Sequence, residues 1–319
     1  MAQFDRHGRA TDVTRDTATP SVSVVIPAYN RAGTIGYCLD SIFSQTLLPD
    51  EVLVVDDCSS DATVKVVLNY PDPRVRCIRL ERNSGAQAAR NRGIREARGE
   101  WIAFQDSDDE WIPEKMEKQV QALRLCGFAP LTAVHADSIW LDADGREIDV
   151  ELPLVEGDNA YPALLSRPGP CFPSLLVSKI ALERIGYLDE MVPSFQEWDT
   201  SIRLARICRF VHLREPLFIY HLHEGETISK GKMRDILGYQ YIIDKFEREI
   251  KELCGEDAWQ LHQKRQFATC LNYGLWRQSD RYLSMISPKD LDFRILQLCR
   301  AFHLRPEQLS RAKARFCGK

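Results

Sequence analysis

Short apolar runs alternate with helical periodicities over the first hundred residues of the chain. Val22-Ser23-Val24-Val25-Ile26-Pro27 is β-branched, apolar and stopped by proline, which predicts a strand. Thr34 can cap a helix whose apolar positions Ile35, Leu39, Ile42 and Phe43 share one face. Glu51-Val52-Leu53-Val54-Val55 predicts a second strand, apolar on both faces as parallel sheets require. A helix from about Ala62 to Leu68, a strand Val75 to Leu80, a helix Ala86 to Ala97 and a strand Glu100 to Phe104 follow. Strands alternating with helices predict an α/β, doubly wound, mostly parallel sheet with right-handed crossovers.

The pattern then loosens. A helix is expected over Glu114 to Leu125 and a strand over Leu131 to Ala136, and Asp142-Ala143-Asp144-Gly145 reads as a turn joining two strands. Phe172 to Val177 is apolar and extended, and Glu197 to Ile207 is helical. Phe210 to Leu213 and Leu217 to Leu222 read as two closing strands. From about Lys232 the periodicity is helical throughout, with further helices over Ala258 to Arg277, Pro288 to Phe302 and Pro306 to Phe316. These shifts divide the chain into a flexible polar tail at 1–19, an α/β domain at 20–231 (halves 20–111 and 112–231) and a helical extension at 232–319.

Composition narrows the function classes. At 44% hydrophobic residues the chain can bury a sizeable core. A formal net charge of −4 gives no support to nucleic acid as a partner. Ten cysteines are scattered without a Cys-x-x-Cys pair, which argues against zinc and for a reducing, cytoplasmic setting. No apolar run is long enough to span a bilayer. Between Arg300 and Lys319 six basic residues stand against Glu307. That end reads first as a solvated helix packed on the domain or on a second subunit, and next as a candidate for peripheral contact with the inner face of an anionic membrane.

Candidate chemistry gathers where strands end. Asp106, Asp108 and Asp109 follow the strand that closes at Phe104, and Asp56, Asp57 and Asp61 follow the one that closes at Val55. Ligands of open α/β sheets bind at the carboxyl ends of strands. An Asp-x-Asp there suits a hard divalent ion shared with a diphosphate, although an acidic turn capping the next helix has the same sequence. Between the clusters lies Asn83 to Gly93, in which Gly85 opens a helix start to an anion and Arg90 offers paired donors to a phosphate. Alone, Arg90 reads as a solvated surface arginine. Asp57 is a candidate acceptor for a nucleobase N–H, or an N-cap.

Taken in order, Ser21 to Asn30 (SVSVVIPAYN), Val54 to Thr63 (VVDDCSSDAT), Asn83 to Gly93 and Asp106-Ser107-Asp108-Asp109 resemble the family 2 glycosyltransferases over roughly Ser21 to Glu226. The resemblance implies the GT-A fold and an inverting enzyme that uses a nucleotide-diphosphate sugar, here a UDP-sugar. It implies that Pro27 and Tyr29 line the nucleoside pocket, Asp57 binds the base, and Gly85, Arg90 and Ser107 belong to the donor site. Asp106 would contact ribose or a metal-bound water, and Asp108 would ligate Mn²⁺ or Mg²⁺.

The family places its base in a Glu-Asp pair before Trp-Asp. Ser194-Phe195-Gln196-Glu197-Trp198-Asp199 stands there, with Glu197 as the base and Asp199 as the alternative. Without that context Glu197 is a first-turn glutamate favoured by the helix dipole. Trp198 is read either as a platform beside a sugar ring or as core. In related transferases a histidine near His223 ligates the metal, and strand alternation puts His221 on the same side.

The reaction implied is a single in-line displacement onto a hydroxyl of a glycan, lipid-linked or small acceptor, in polysaccharide or glycoconjugate synthesis. Two alternatives are a sugar nucleotidyltransferase, which needs a glycine-rich loop after the first strand where Ala28 to Gly33 has one glycine, and a catalytically silent sugar-nucleotide-binding subunit, which would lack the carboxylates present here. The C-terminal helices are also candidates for a homo-oligomer contact.

Overall fold

The computed structural model describes residues 20–150, 154–157, 159–222, 231–286, 291–301 and 303–306. The residues form two compact groups, each described in turn.

The first group holds residues 20–150, 170–188 and 206–222. Its chain runs β1 (Val22–Ala28), α1 (Ile35–Phe43), β2 (Glu51–Asp56), α2 (Thr63–Leu68), β3 (Val75–Arg79), α3 (Ala86–Glu96) and β4 (Trp101–Phe104). It continues through β5 (Glu110–Trp111), α4 (Lys115–Leu125), β6 (Thr132–Leu141), β7 (Glu147–Ile148), β8 (Leu176–Ser178), α6 (Lys179–Arg184) and β9 (Arg209–His221). One sheet has the order β3-β2-β1-β4-β8-β6-β9-β5, with β7 paired to β6. The β3-β2-β1-β4 half is wholly parallel. In the other half β8 runs antiparallel to both β4 and β6, while β6 and β9 are parallel.

Register decides what the sheet presents at its edge. Ala28 pairs with Asp56, and Val25 with Phe104. The Gln105 amide then donates to the Val25 carbonyl at 3.2 Å, extending the β4 pairing one step. The ends of β1, β2 and β4 therefore open onto a common rim. Val24, Ile26, Val52, Val54 and Ala103 are fully buried beneath it, with Ile35, Leu39 and Ile42 of α1 in the same core.

The other face is closed by α3, which can lie on β1 and β2 because position 93 is glycine. A Cβ at Gly93 would stand 2.5 Å from Val25 Cγ1 and 3.2 Å from Val55 Cγ2. Gly93→Val is expected to cost about 1–3 kcal/mol through overpacking, read as a lower urea midpoint at unchanged slope; an unchanged midpoint would mean that α3 stands off the sheet.

Three local expectations are corrected here. The Thr34 side chain makes no capping bond to α1. The amides of Thr34 and Ile35 both donate to the Arg31 carbonyl, and the Thr34 hydroxyl donates to that same oxygen instead of accepting. Phe172–Ser174 is a short 3₁₀ turn entered through Pro173, and only Leu176–Ser178 is strand. The two closing strands are one, β9, whose register against β6 shifts at Asp137, opposite Pro216. A proline has no N–H to give the ladder, and the irregularity absorbs it.

The second group holds residues 154–157, 159–169, 189–205 and the described residues from 231 onward. It contains α5 (Ala160–Ser166), α7 (Gln196–Ala205), α8 (Lys232–Lys245), α9 (Glu247–Glu249) running into a π turn at Ile250–Cys254, α10 (Glu256–Asn272), α11 (Trp276–Leu283) and α12 (Leu291–Ala301). The single helix expected over Ala258 to Arg277 is broken at Gly274, whose φ of 73° only glycine adopts without strain. Phe267, Cys270 and Leu271 of α10 pack with Tyr282, Ile286 and Phe293 in this group's core. The helix expected over Pro306 to Phe316 and most of the basic end lie outside the described residues. No helix among the described residues is long and apolar enough to cross a membrane.

His262 of α10 is fully buried. Its Nδ1 accepts from the Tyr239 hydroxyl at 2.7 Å, and its Nε2 donates to the Leu165 carbonyl at 2.8 Å. Burial depresses its pKa from 6.5 to about 4. The unfolded chain therefore binds a proton below pH 6.5 that the folded chain refuses, so stability falls as pH drops from about 6.5 to about 4. The loss is on the order of 3 kcal/mol by linkage. His262→Gln is expected to flatten the stability profile in that window; an identical profile would place the titration elsewhere.

Candidate functional site

The rim is built from loops tied to one another by their own side chains. Asn30 (φ 52°) and Cys58 (φ 64°) take left-handed backbone just past the ends of β1 and β2. Such non-glycine positions carry strain that the surroundings must hold. Here the Asn30 amide donates to Ser59 Oγ at 2.9 Å, and Asn30 Oδ1 accepts from the Ser60 amide at 2.9 Å. The Arg31 amide donates to Thr63 Oγ1 at 2.7 Å, and the Ala32 amide to Asp61 Oδ2 at 3.0 Å. Burial alone would raise the Asp61 pKa, but the bonds from Thr63 and Ala32 outweigh it and hold the carboxyl below the usual range. Asp61 is thus a charged strut between the two loops.

Asp57 is buried, and its two carboxylate oxygens accept the amides of Ser84 and Gly85, each at 2.7 Å. It shapes the loop that starts α3. Gly85 itself has φ 93°, and no atom lies within 4 Å of where a Cβ would be. Backbone can therefore be approached closely at the start of that helix, as an anion requires. Pro27 is buried in β1, Ser107 is buried on the turn after β4, and Tyr29 is exposed at the rim.

Arg90 is not the solvated surface arginine that its sequence alone would suggest. It is 5% exposed, with its guanidinium 4.3 Å over the Phe172 ring. Nη1 donates to Gln87 Oε1 at 3.1 Å, and Nη2 donates to Asp106 Oδ1 at 2.5 Å. Asp108 pairs with Arg31 Nε at 3.3 Å, and its carbonyl accepts from the Tyr37 hydroxyl at 3.3 Å. Asp109 is 1% exposed: Oδ1 accepts the His221 amide at 3.0 Å, and Oδ2 has no hydrogen-bond partner. Burial pushes the Asp109 carboxyl well up, and the charges of Asp106 and Asp108 push it further. Burial also raises Asp106, against the pull of Arg90.

The turn 106–109 thus sets three carboxyl groups against Arg90 and Arg31, and the buried Oδ2 of Asp109 has no hydrogen-bond partner among the described residues. Among the described residues no three His, Cys, Asp or Glu side chains form a ready-made metal cluster. A donor set of one or two carboxylates still fits Mg²⁺ or Mn²⁺ when substrate phosphates and water complete the shell. His221 Nε2 is bonded to Glu110 Oε1 at 2.8 Å, and His223 lies outside the described residues. Arg31, which sequence reasoning did not single out, pairs with Asp108, and Asp109, read from sequence only as part of the acidic turn, is its most buried carboxyl. Their signal was present in the Asn30-Arg31 step after β1 and in the third aspartate of the acidic turn.

In the helical group, Phe195 (φ 58°) precedes α7 and its carbonyl accepts from the amides of Trp198 and Asp199 at 3.0 and 3.3 Å. Glu197 is half-buried in the first turn. Asp199 is 1% exposed, and both its oxygens are engaged, Oδ2 by Arg203 Nε at 2.8 Å and Oδ1 by Lys245 Nζ at 2.6 Å. The reading of Trp198 as a sugar platform is corrected. Its ring is fully buried, its Nε1 donates to the Leu164 carbonyl at 2.6 Å, and Tyr239 packs on it. A ring with no exposed face cannot stack on a ligand.

Comparison with known proteins gives the family and the fold. The model of glycosyl transferase family 2 matches residues 23–128, which carry β1 to β4 and the whole acidic rim. The chain is 45% identical over 231 residues to the succinoglycan biosynthesis protein ExoO of Rhizobium meliloti, a match that spans 66% of this chain and 63% of that protein's length. It is 42% identical over 234 residues to an uncharacterized glycosyltransferase of Haemophilus influenzae, spanning 72% of this chain and 79% of the relative. The crystal structure of S. aureus TarS 1–349 in complex with UDP-GlcNAc superposes with a TM-score of 0.56 at 19% identity, over 78% of this chain and 81% of that one, a likeness of fold. On these relatives and this likeness of fold, the chain belongs to the family 2 glycosyltransferases and has their GT-A fold.

Proposed function

We propose that the chain transfers a sugar from a UDP-sugar to a hydroxyl of a glycan or lipid-linked acceptor in polysaccharide synthesis, with inversion. The observation that carries the donor half is the register of β1, β2 and β4, which supports a single rim holding Tyr29, Asp57, Gly85 and the turn 106–108. Pro27 and Tyr29 flank the nucleoside, and Asp57 meets the base edge with lone pairs beyond those used by Ser84 and Gly85. Ser107 and the first-turn amides of α3, beyond those of Ser84 and Gly85 that Asp57 already takes, receive the diphosphate. Arg90 acts chiefly by holding Asp106, and Phe172 holds Arg90. Asp108, Asp106 and His223 are the residues that would hold Mn²⁺ or Mg²⁺. Such an ion offsets charge that develops on the departing nucleoside diphosphate. Glu197 removes the proton from the acceptor hydroxyl.

The polysaccharide role is supported by the relative named for succinoglycan biosynthesis, and the UDP donor by the TarS complex. The test is release of nucleoside diphosphate from a panel of UDP-, GDP- and dTDP-sugars, with and without Mn²⁺. The expected result is metal-stimulated turnover of a UDP-sugar, and a preferred donor that raises the melting temperature by linkage. Stabilisation by a donor without turnover toward any acceptor would favour a silent binding subunit. Turnover equal with EDTA would remove the ion from the account.

A further inference from the structure

We propose that a cleft of about 390 Å³ within the helical group, lined by Phe195, Asp235, Tyr239, Arg265, Asn272 and Tyr273 among others, is a pyranose subsite for the acceptor glycan. This rests on the reading of Glu197 as the base. Its volume is that of a small-ligand site, and its lining is of two kinds. The half-buried aromatic rings of Phe195 and Tyr273 offer apolar surface to the C–H side of a sugar ring, and the buried Tyr239 forms the floor behind them. Arg265, Asn272 and Asp235 carry planar donors and acceptors that suit vicinal hydroxyls.

The polar groups are held in place by bonds behind them. Asp235 Oδ1 accepts from the Ser194 hydroxyl at 2.9 Å and Oδ2 from the Tyr273 hydroxyl at 3.0 Å, which leaves each oxygen a second lone pair. Arg265 Nη1 donates to the Ser166 carbonyl at 2.9 Å. Arg265 and Asp235 are the cation and the anion of the lining, so the cleft as a whole favours a neutral polyol over a phosphate.

The cleft is also placed for the chemistry. Its wall residue Phe195 supplies the carbonyl that starts α7, and Glu197 is two residues on. With consecutive Cα atoms 3.8 Å apart, the two Cα atoms are separated by no more than ~7.6 Å. Behind this loop α8 approaches so closely that a Cβ at Gly238 would lie 2.6 Å from the Ser194 amide nitrogen and carbonyl oxygen. A sugar seated against Phe195 would thus lie two residues along the chain from the proposed base.

The experiment is saturation-transfer NMR on the full chain with methyl β-D-glucopyranoside and methyl N-acetyl-α-D-glucosaminide, using inorganic phosphate as competitor. Ala268→Trp fills the cleft, and Asn272→Ala, which removes only a polar head, keeps the test decisive if the larger side chain unfolds the protein. The expected result is transfer to the pyranoside protons that falls ~10-fold or more in the variants and persists in phosphate. Transfer unchanged in a variant that melts like the wild type, no transfer from either glycoside, or full displacement by phosphate would each overturn the proposal. Consumption of UDP-sugar by the unaltered protein tests the enzymatic reading separately, so the two can fail independently.

Discussion

Glu197→Gln is expected to lower turnover by ~10²–10⁴ while leaving the melting temperature and the donor KM nearly unchanged. Glutamine keeps the size and shape of the side chain but carries no charge and cannot take a proton. Asp199 is the discriminating neighbour. Its carboxylate is 1% exposed and pairs with both Arg203 and Lys245, and Lys245 also bridges to Asp189 at 2.7 Å. Asp199→Asn therefore costs stability, about 3 kcal/mol, the low end for breaking a buried pair because Lys245 is 29% exposed. Steady-state kinetics and thermal melts of the two variants separate the roles. If Asp199→Asn melted normally and abolished turnover while Glu197→Gln remained active, the two assignments would be reversed.

Asp108→Asn is expected to reduce transfer by about two to three orders of magnitude, in the range seen when one electrostatic stabiliser of a developing anion is removed. It should also abolish stabilisation by Mn²⁺ with UDP. The stability of the protein alone should hardly move, since the pair with Arg31 is partly solvated and worth no more than about 1 kcal/mol. Calorimetric melts with and without Mn²⁺ and UDP check this. A large loss of stability with the Mn²⁺ response intact would make Asp108 a strut for the β1 loop instead.

The α/β framework was legible because its strands are buried on both faces and their apolar runs are bounded by turn residues; Val22–Ala28, Glu51–Asp56 and Trp101–Phe104 depart from the expected bounds by a residue. Local pattern could not reveal what long-range contacts decide. Pro216 reads as a break between strands, yet β6 holds both sides of it in one ladder. Trp198 beside two acids reads equally as site or core, and only the Leu164 carbonyl decides. The acidic turns could be found from spacing, but Asp57 engaged by two amides and Arg90 buried under Asp106 are tertiary facts. The break at Gly274 was visible in principle as a C-terminal glycine, and the helical periodicity on both sides concealed it.

The central claim is that the carboxyl ends of β1, β2 and β4 gather a nucleotide sugar. A crystal structure of the protein grown with Mn²⁺ and its preferred UDP-sugar tests this most directly. The account predicts density for uracil beside Asp57 and for the diphosphate between Gly85 and the turn 106–108. Well-ordered nucleotide bound anywhere else, with that rim filled only by solvent, would contradict it.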